Sequence, residues 1–172
     1  ALGRSLSQYT LLPRLLVWTS LIYLGRGEVA LARPLLEEAW RIAKPREGGA
    51  SNIHAAIPAH IGMGYLALAE GRYDEAIRMG KEGLARADQV GYGLWAIHRL
   101  LPLLAETYLW KRDLHGAREV GQRLGRDSAA VGHKLGLAWA QSCDALVTWL
   151  EGNPEEGARK MEAAAQALEE VP

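Results

Sequence analysis

Apolar and polar positions along this chain recur with a helical period. In "ARPLLEEAWRIA", residues 32 to 43, Leu35, Leu36, Ala39, Trp40 and Ala43 return at spacings of three and four, while Glu37 and Arg41 fall on the opposite side. Such a stripe marks a helix with one buried face. Just upstream, "PRLLVWTSLIYL" reads as a second, more apolar helix. Further along, Asp74 and Arg78, Glu82 and Arg86, and Glu119 and Arg123 place an acid four residues before a base. That order suits the solvated face of a helix and is worth about 0.2–0.5 kcal/mol per pair. No run alternates Val, Ile and Thr as a half-buried strand would. The pattern predicts an all-α protein.

The helices are punctuated at regular intervals. Four places carry a turn residue followed five positions later by Ala or Gly: Gly27 with Ala32, Gly71 with Ala76, Arg112 with Ala117, and Gly152 with Gly157. The turn residues are 44, 41 and 40 positions apart. An apolar helical pattern precedes each turn and an amphipathic one follows it, so the chain reads as four helix-turn-helix units, over about 11–46, 54–92, 94–132 and 135–171. Seven residues before each turn stand Ser20, Gly64, Ala105 and Ala145, all small; four before stand Tyr23, Ala67, Tyr108 and Thr148.

This layout resembles the tetratricopeptide repeat, whose first helix has the form W-x-x-L-G-x-x-Y and whose second opens with Ala. The small residues occupy the family's glycine position and two of the four units keep its Tyr, whereas Leu16, His60, Leu101 and Gln141 stand where the family places tryptophan. The resemblance implies a single domain over 1–172, an α-solenoid wound as a right-handed superhelix, covering about residues 11 to 170. The family's units usually repeat at 34 residues; the longer period here requires longer helices or longer connections such as "KPREGGASN", residues 44 to 52.

Within the second unit, Gly62-Met63-Gly64-Tyr65-Leu66-Ala67 fits the G-x-G-x-x-A pattern of a dinucleotide-binding turn. That fingerprint has its meaning only where a strand turns into a helix and the pyrophosphate meets the helix N-terminus. The preceding "IHAAIPAHI" is no strand, and Pro58 suits the first position of a helix. Gly64 is therefore expected at a close helix crossing opposite Ala76, and no cofactor is expected.

Composition removes further classes. Lys and Arg total 20, as do Asp and Glu, so the net charge is zero and no electrostatic footprint for nucleic acid or an anionic membrane is present. No apolar run approaches the length of a membrane span. Cys143 stands alone and is expected as a buried, reduced thiol in a cytoplasmic protein. The five histidines form no H-x-x-x-H pair, and Ser142-Cys143-Asp144 are consecutive helical positions that point in different directions. No metal site and no enzymatic activity are expected.

In the tetratricopeptide family the first helices line a concave face that binds ligands. Carried onto this sequence, the resemblance implies a site of Arg14, Val17, Leu21, Ile61, Tyr65, Arg99, Glu106, Trp110, Trp139 and Ser142, with Trp and Arg as anchors. The longer units, as in "GRGEVALARPLLEEAW" and "AEGRYDEAIRMGKEGL", look like the helical-repeat arms of large bacterial signalling ATPases and maltose-activator or LuxR-type transcription regulators. That likeness implies a non-enzymatic sensor or protein-interaction arm cut from a longer polypeptide. Its partners would be a protein or peptide, the ATPase and DNA-binding modules attached to it, or a small-molecule inducer. A free-standing adaptor with a peptide in its groove and a small-molecule receptor domain are the alternatives.

Overall fold

A computed structural model describes residues 2–44 and 52–169, with side chains from Leu11 onward; most of the connection "KPREGGASN" and the last three residues lie outside the described part. Every regular element among the described residues is helical. Helices α1 (Leu2–Gly25), α2 (Val29–Ala43), α3 (Ile53–Ala69) and α4 (Tyr73–Gln89) belong to one compact unit, Ala1–Gly91. The second unit, Tyr92–Pro172, holds α5 (Gly93–Trp95), a π-helical segment (Ala96–Leu100), α6 (Leu101–Trp110), α7 (Leu114–Ala130), α8 (Lys134–Leu150) and α9 (Pro154–Glu169). Packing runs between neighbours: α1 with α2, α3 with α4, and α3 also on α1 and α2; in the second unit α6 with α7, α8 with α9, and α8 also on α6 and α7.

The reversals have one cause. Gly27, Gly71, Arg112 and Gly152 all adopt left-handed backbone, with φ of 75°, 71°, 62° and 93°. The amide after each donates to the carbonyl five residues back: Glu28 to Tyr23 at 2.8 Å, Arg72 to Ala67 at 2.8 Å, Asp113 to Tyr108 at 2.9 Å and Asn153 to Thr148 at 3.2 Å. The turn residue itself donates to the carbonyl three back, at 3.0–3.1 Å in all four. These paired bonds satisfy carbonyls that the helix end would leave open, in the Schellman arrangement. Asp113 then caps α7 by accepting from the Gly116 amide at 2.9 Å, and Asn52 caps α3 by accepting from His54 at 3.1 Å.

Small residues set how closely each pair approaches. Ala32, Ala76 and Ala117 are fully buried, as is Ser20, whose hydroxyl donates to the Leu16 carbonyl at 2.6 Å. In the last pair the fit is tightest: a Cβ on Gly157 would lie 2.9 Å from the Trp149 amide nitrogen and 3.0 Å from the Ala145 carbonyl oxygen. Gly157 and Ala145 occupy the same register positions as Ala76 and Gly64, both buried where α3 and α4 pack. Gly62 faces the other way. Its missing side chain makes room for Leu36 and Val17, with a Cβ there lying 2.5 Å from Leu36 Cδ2. Both glycines lie mid-helix, so the dinucleotide-like pattern is helix packing in two directions.

Three local expectations are corrected. Pro58 is not the first residue of its helix; the Asn52 cap starts α3 at Ile53, and Pro58 sits buried inside it at the cost of one backbone hydrogen bond. α1 begins at Leu2, well before the predicted unit start, and carries Pro13 internally. The first helix of the third pair is broken by the π-helical turn, where the Leu101 amide reaches the Ala96 carbonyl five residues back. It stands just before Pro102, which has no amide proton to give His98 and whose ring crowds that carbonyl.

Arg112 bears a side chain where the other reversals have glycine, so Arg112→Gly is expected to stabilise the protein by about 1 kcal/mol, read as a raised unfolding midpoint. Gly157→Ala is expected to cost about 1–3 kcal/mol, because backbone atoms block its Cβ. The matched control is Gly125→Ala on α7, whose Cβ would rest 3.5 Å from Ala140 Cβ; it should gain up to about 1 kcal/mol of helix propensity.

Candidate functional site

A groove of about 460 Å³ lies in the second unit, formed by α7, α8 and α9. Its floor is apolar: Leu137, Ala140 and Cys143 of α8, with Gly121 and Gly125 of α7 and Ala163 of α9. Its rim is polar, with Arg118 and Gln122 on α7, Gln141 and Asp144 on α8, and Lys160 on α9.

Two glycines one helical turn apart line this groove, Gly121 closed over by Cys143 and Gly125 with room beside it. In the first unit the same register on α2 is held by Leu36 and Trp40, and the cleft among α2, α3 and α4 is only about 160 Å³. Trp40 lines that cleft beside His60, ring centroids 4.9 Å apart and edge-on. Partner sizes are exchanged as well: Leu36 faces Gly62 in the first unit, whereas Gly121 faces Cys143 in the second, with a Cβ on Gly121 lying 3.1 Å from Cys143 Sγ.

The rim charges are partnered. Arg118 donates to both carboxylate oxygens of Glu151 at 2.6 Å, and Lys160 to Asp144 at 2.6 Å and to the Thr148 hydroxyl at 3.1 Å. Cys143 is buried; its thiol points to the Ala117 carbonyl at 3.4 Å, and burial, assisted by Asp144, pushes its pKa up to about 11. At neutral pH it is a thiol, and a thiol is a poor nucleophile. The groove is thus an apolar trough with a hydrogen-bonding rim, suited to holding a nonpolar group with polar ends. Among the described residues no group of three His, Cys, Asp or Glu side chains is placed to hold a metal ion.

A second polar cluster joins the π-helical turn to the start of α8. His133 caps α8 through Nδ1, which accepts from the Gly136 amide at 2.8 Å, so its ring proton sits on Nε2 and points at His98 Nε2, 2.8 Å away. His98 is left accepting, and its pKa is lowered by burial, then by His133 and Arg99. In the first unit His60 shows the same direction, chiefly through burial; its Nδ1 lies 2.7 Å from the Ala56 carbonyl, with Glu82 and Arg86 nearby. Gly136 is hemmed in by Ile97 Cγ2 at 2.7 Å and His133 Nδ1 at 2.8 Å from where its Cβ would be, next to the buried Ser128 hydroxyl.

The residues carried over from the family pattern fall into different environments. Val17 and Ile61 are buried at 1% and 0% exposure, so neither is available to a ligand: Val17 packs in the core with Leu36 and Leu66, and Leu21 is half-buried against the same cluster. Arg14 and Tyr65 are half-buried in the first unit. In the second, Arg99 sits in the π-helical turn, Trp139 and Ser142 are half-buried, and the Ser142 hydroxyl donates to the Ala138 carbonyl at 2.9 Å. Glu106 and Trp110 come together one turn apart on α6. The indole donates to the carboxylate, and surrounding protein raises the Glu106 pKa although the side chain reaches solvent. Trp110 is itself 63% exposed. Sequence reasoning did not select Arg118, Gln122, Gln141, Asp144 or Lys160; the available signal was the pair Gly121 and Gly125 inside an amphipathic helix, where each glycine costs about 1 kcal/mol against alanine.

No helix among the described residues is long and apolar enough to cross a membrane. Compared with protein-family models, curated proteins and solved structures, the chain gives no match.

His60 and His98 have folded-state pKa values below the ordinary 6.5. The unfolded chain therefore takes up protons first as pH falls, and stability is full above about 6.5 and declines below it. Melting from pH 8 to about 5 should show this loss, and His98→Gln, which retains an acceptor, should flatten it.

Proposed function

We propose that this chain is a non-enzymatic recognition module that binds an apolar segment of a protein partner in the groove over α8. In this reading the helical pairs continue one repeat, forming a tetratricopeptide-like α-solenoid with a right-handed superhelix. The observation that carries the recognition role is the groove itself. Gly125, mid-helix and with room for a larger side chain, keeps an apolar trough open where Trp40 stands in the first unit, and paired charges rim it. The four equivalent reversals and the small residues at equivalent crossings support the repeat reading.

Such a module does no chemistry; it acts by holding a partner. The likeness of its longer units to the arms of bacterial transcription regulators makes a sensor or scaffold arm, attached to ATPase and DNA-binding modules, the context proposed for it. A small-molecule effector is the second reading, favoured by a groove volume within the roughly 300–1,000 Å³ usual for small-ligand pockets.

Filling the groove tests both. Gly125→Trp introduces the ring that Trp40 supplies in the first unit and should leave helicity and melting close to those of the parent. A benzophenone side chain at Gln122 should cross-link a discrete partner in cells, and Gly125→Trp should reduce that product at least tenfold, the loss of an anchor contact worth about 1.4 kcal/mol or more. A cross-link insensitive to filling, in a folded variant, would remove the groove from the function. If no protein is captured, calorimetric binding of a small apolar acid that Gly125→Trp abolishes would favour the second reading.

A further inference from the structure

In the cleft of the first unit a buried acceptor faces a second acceptor. His60 of α3 forms the floor and is only 4% exposed. Its Nδ1 lies 2.7 Å from the Ala56 carbonyl, a contact that requires the ring proton on Nδ1 and leaves Nε2 with a lone pair. Burial, foremost among the causes, lowers the His60 pKa and keeps the ring neutral. Across the cleft, Glu82 Oε2 of α4 stands 3.6 Å from Nε2, beyond a hydrogen bond. Arg78 steadies that carboxylate by donating to its other oxygen at 3.0 Å. Two acceptors thus point into one space with no donor between them among the described residues, and a lone pair left unsatisfied on a buried ring is costly.

The rest of the lining divides into charge and apolar surface. Lys44, at the end of α2, and Arg86, one turn beyond Glu82 on α4, bring positive charge to the same cleft. Trp40, Ala43 and Ala56 are apolar, and Trp40 stands edge-on to His60. The volume is about 160 Å³, close to the roughly 150 Å³ that holds a benzene-sized molecule. The repeat does not require this chemistry. Measured from the turn residue, the positions of His60, Glu82, Arg86 and Lys44 are taken in the second unit by Gln141, Ala163, Ala167 and Ala129, and the helices there pack without it.

We propose that this cleft binds a small apolar α-amino acid as its zwitterion: the ammonium donates to His60 Nε2 and Glu82, the carboxylate meets Lys44 and Arg86, and the side chain rests on Trp40 and the alanines. An ammonium group carries three N–H donors and no acceptor, which suits a pair of acceptors. An amine lacking the carboxylate would bring its charge against two cations. A carboxylate lacking the amine would leave the His60 lone pair unfilled and set its charge against Glu82. The site belongs to the first unit and does not rest on the groove reading, so Gly125→Trp should leave it unchanged.

Glycine, L-alanine and L-valine are titrated calorimetrically into the intact chain, to about 10 mM, where a millimolar or tighter Kd approaches saturation. At least one should bind saturably, raise the unfolding midpoint and move the nitrogen NMR signal of His60 Nε2, the atom the ammonium contacts. For the amino acid that binds, N-acetylation removes the ammonium and methyl esterification removes the carboxylate charge; each should weaken binding by about tenfold or more. Glu82→Gln should weaken it by about the same factor. Glu82 is exposed, so this variant should keep the helicity and melting of the parent. If it does not, the two ligand derivatives and the His60 signal still decide. Absence of saturable binding by all three amino acids would overturn the proposal. So would binding that leaves the His60 signal in place, a derivative that binds as well as the free amino acid, or unchanged affinity in a folded Glu82→Gln variant.

Discussion

Each helical pair depends on one backbone event, the left-handed residue at which the chain reverses. Its two hydrogen bonds fix where the second helix begins relative to the first, and that offset determines which residues meet seven positions before and five after the turn. Ser20 and Ala32, Gly64 and Ala76, Ala105 and Ala117, and Ala145 and Gly157 follow from it, and all are buried. Where both are as small as Ala145 and Gly157, the backbones come within contact of each other. Once this spacing is set, larger residues can be placed only on the faces turned toward neighbouring pairs. Arg112 shows that the constraint is geometric: it holds φ at 62° with both turn bonds in place, at a cost that glycine would avoid.

On those outer faces the units solve the same packing problem with opposite sizes. Leu36 and Trp40 project from α2 and Gly62 recedes to admit Leu36; Gly121 and Gly125 recede on α7, and Cys143 advances only far enough to cover one of them. Protein interiors fill to near crystal density, so an unfilled volume beside Gly125 is a deviation from the solution the first unit found. The deviation consists of absent side chains, and the groove follows from it without any distortion of the helices.

The period, the reversals and the small crossing positions were legible in the sequence because they are local: a turn residue and its neighbours at fixed offsets announce them. What escaped was set by contacts between elements. Val17 and Ile61 look like groove residues in a repeat register, yet which side of a first helix is covered depends on the pair that seats against it. Gly62 and Gly64 belong to one short motif but serve different neighbours. Pro58 reads as a helix start because proline favours that position, and Asn52, a residue type common in turns, took the cap instead. Gly121 and Gly125 were visible as helix-weakening residues, but only comparison with Leu36 and Trp40 in the folded first unit shows the space they leave.

The electrostatics bear on what kind of recognition this fold can perform. The net charge is zero, and the ions at the groove rim are already satisfied, Arg118 by Glu151 and Lys160 by Asp144. A charged partner would have to exchange one ion pair for another, and between exposed groups that exchange is worth little. Apolar area removed from water has no such competitor, and each 100 Å² buried contributes about 2.5 kcal/mol before ordering costs. If the groove holds a partner as proposed, the gain from entering it must therefore come mainly from shape and apolar contact with Leu137, Ala140 and Ala163. In that reading the rim pairs would orient what enters, and salt, which screens the rim and leaves the floor untouched, should act on orientation more than on affinity.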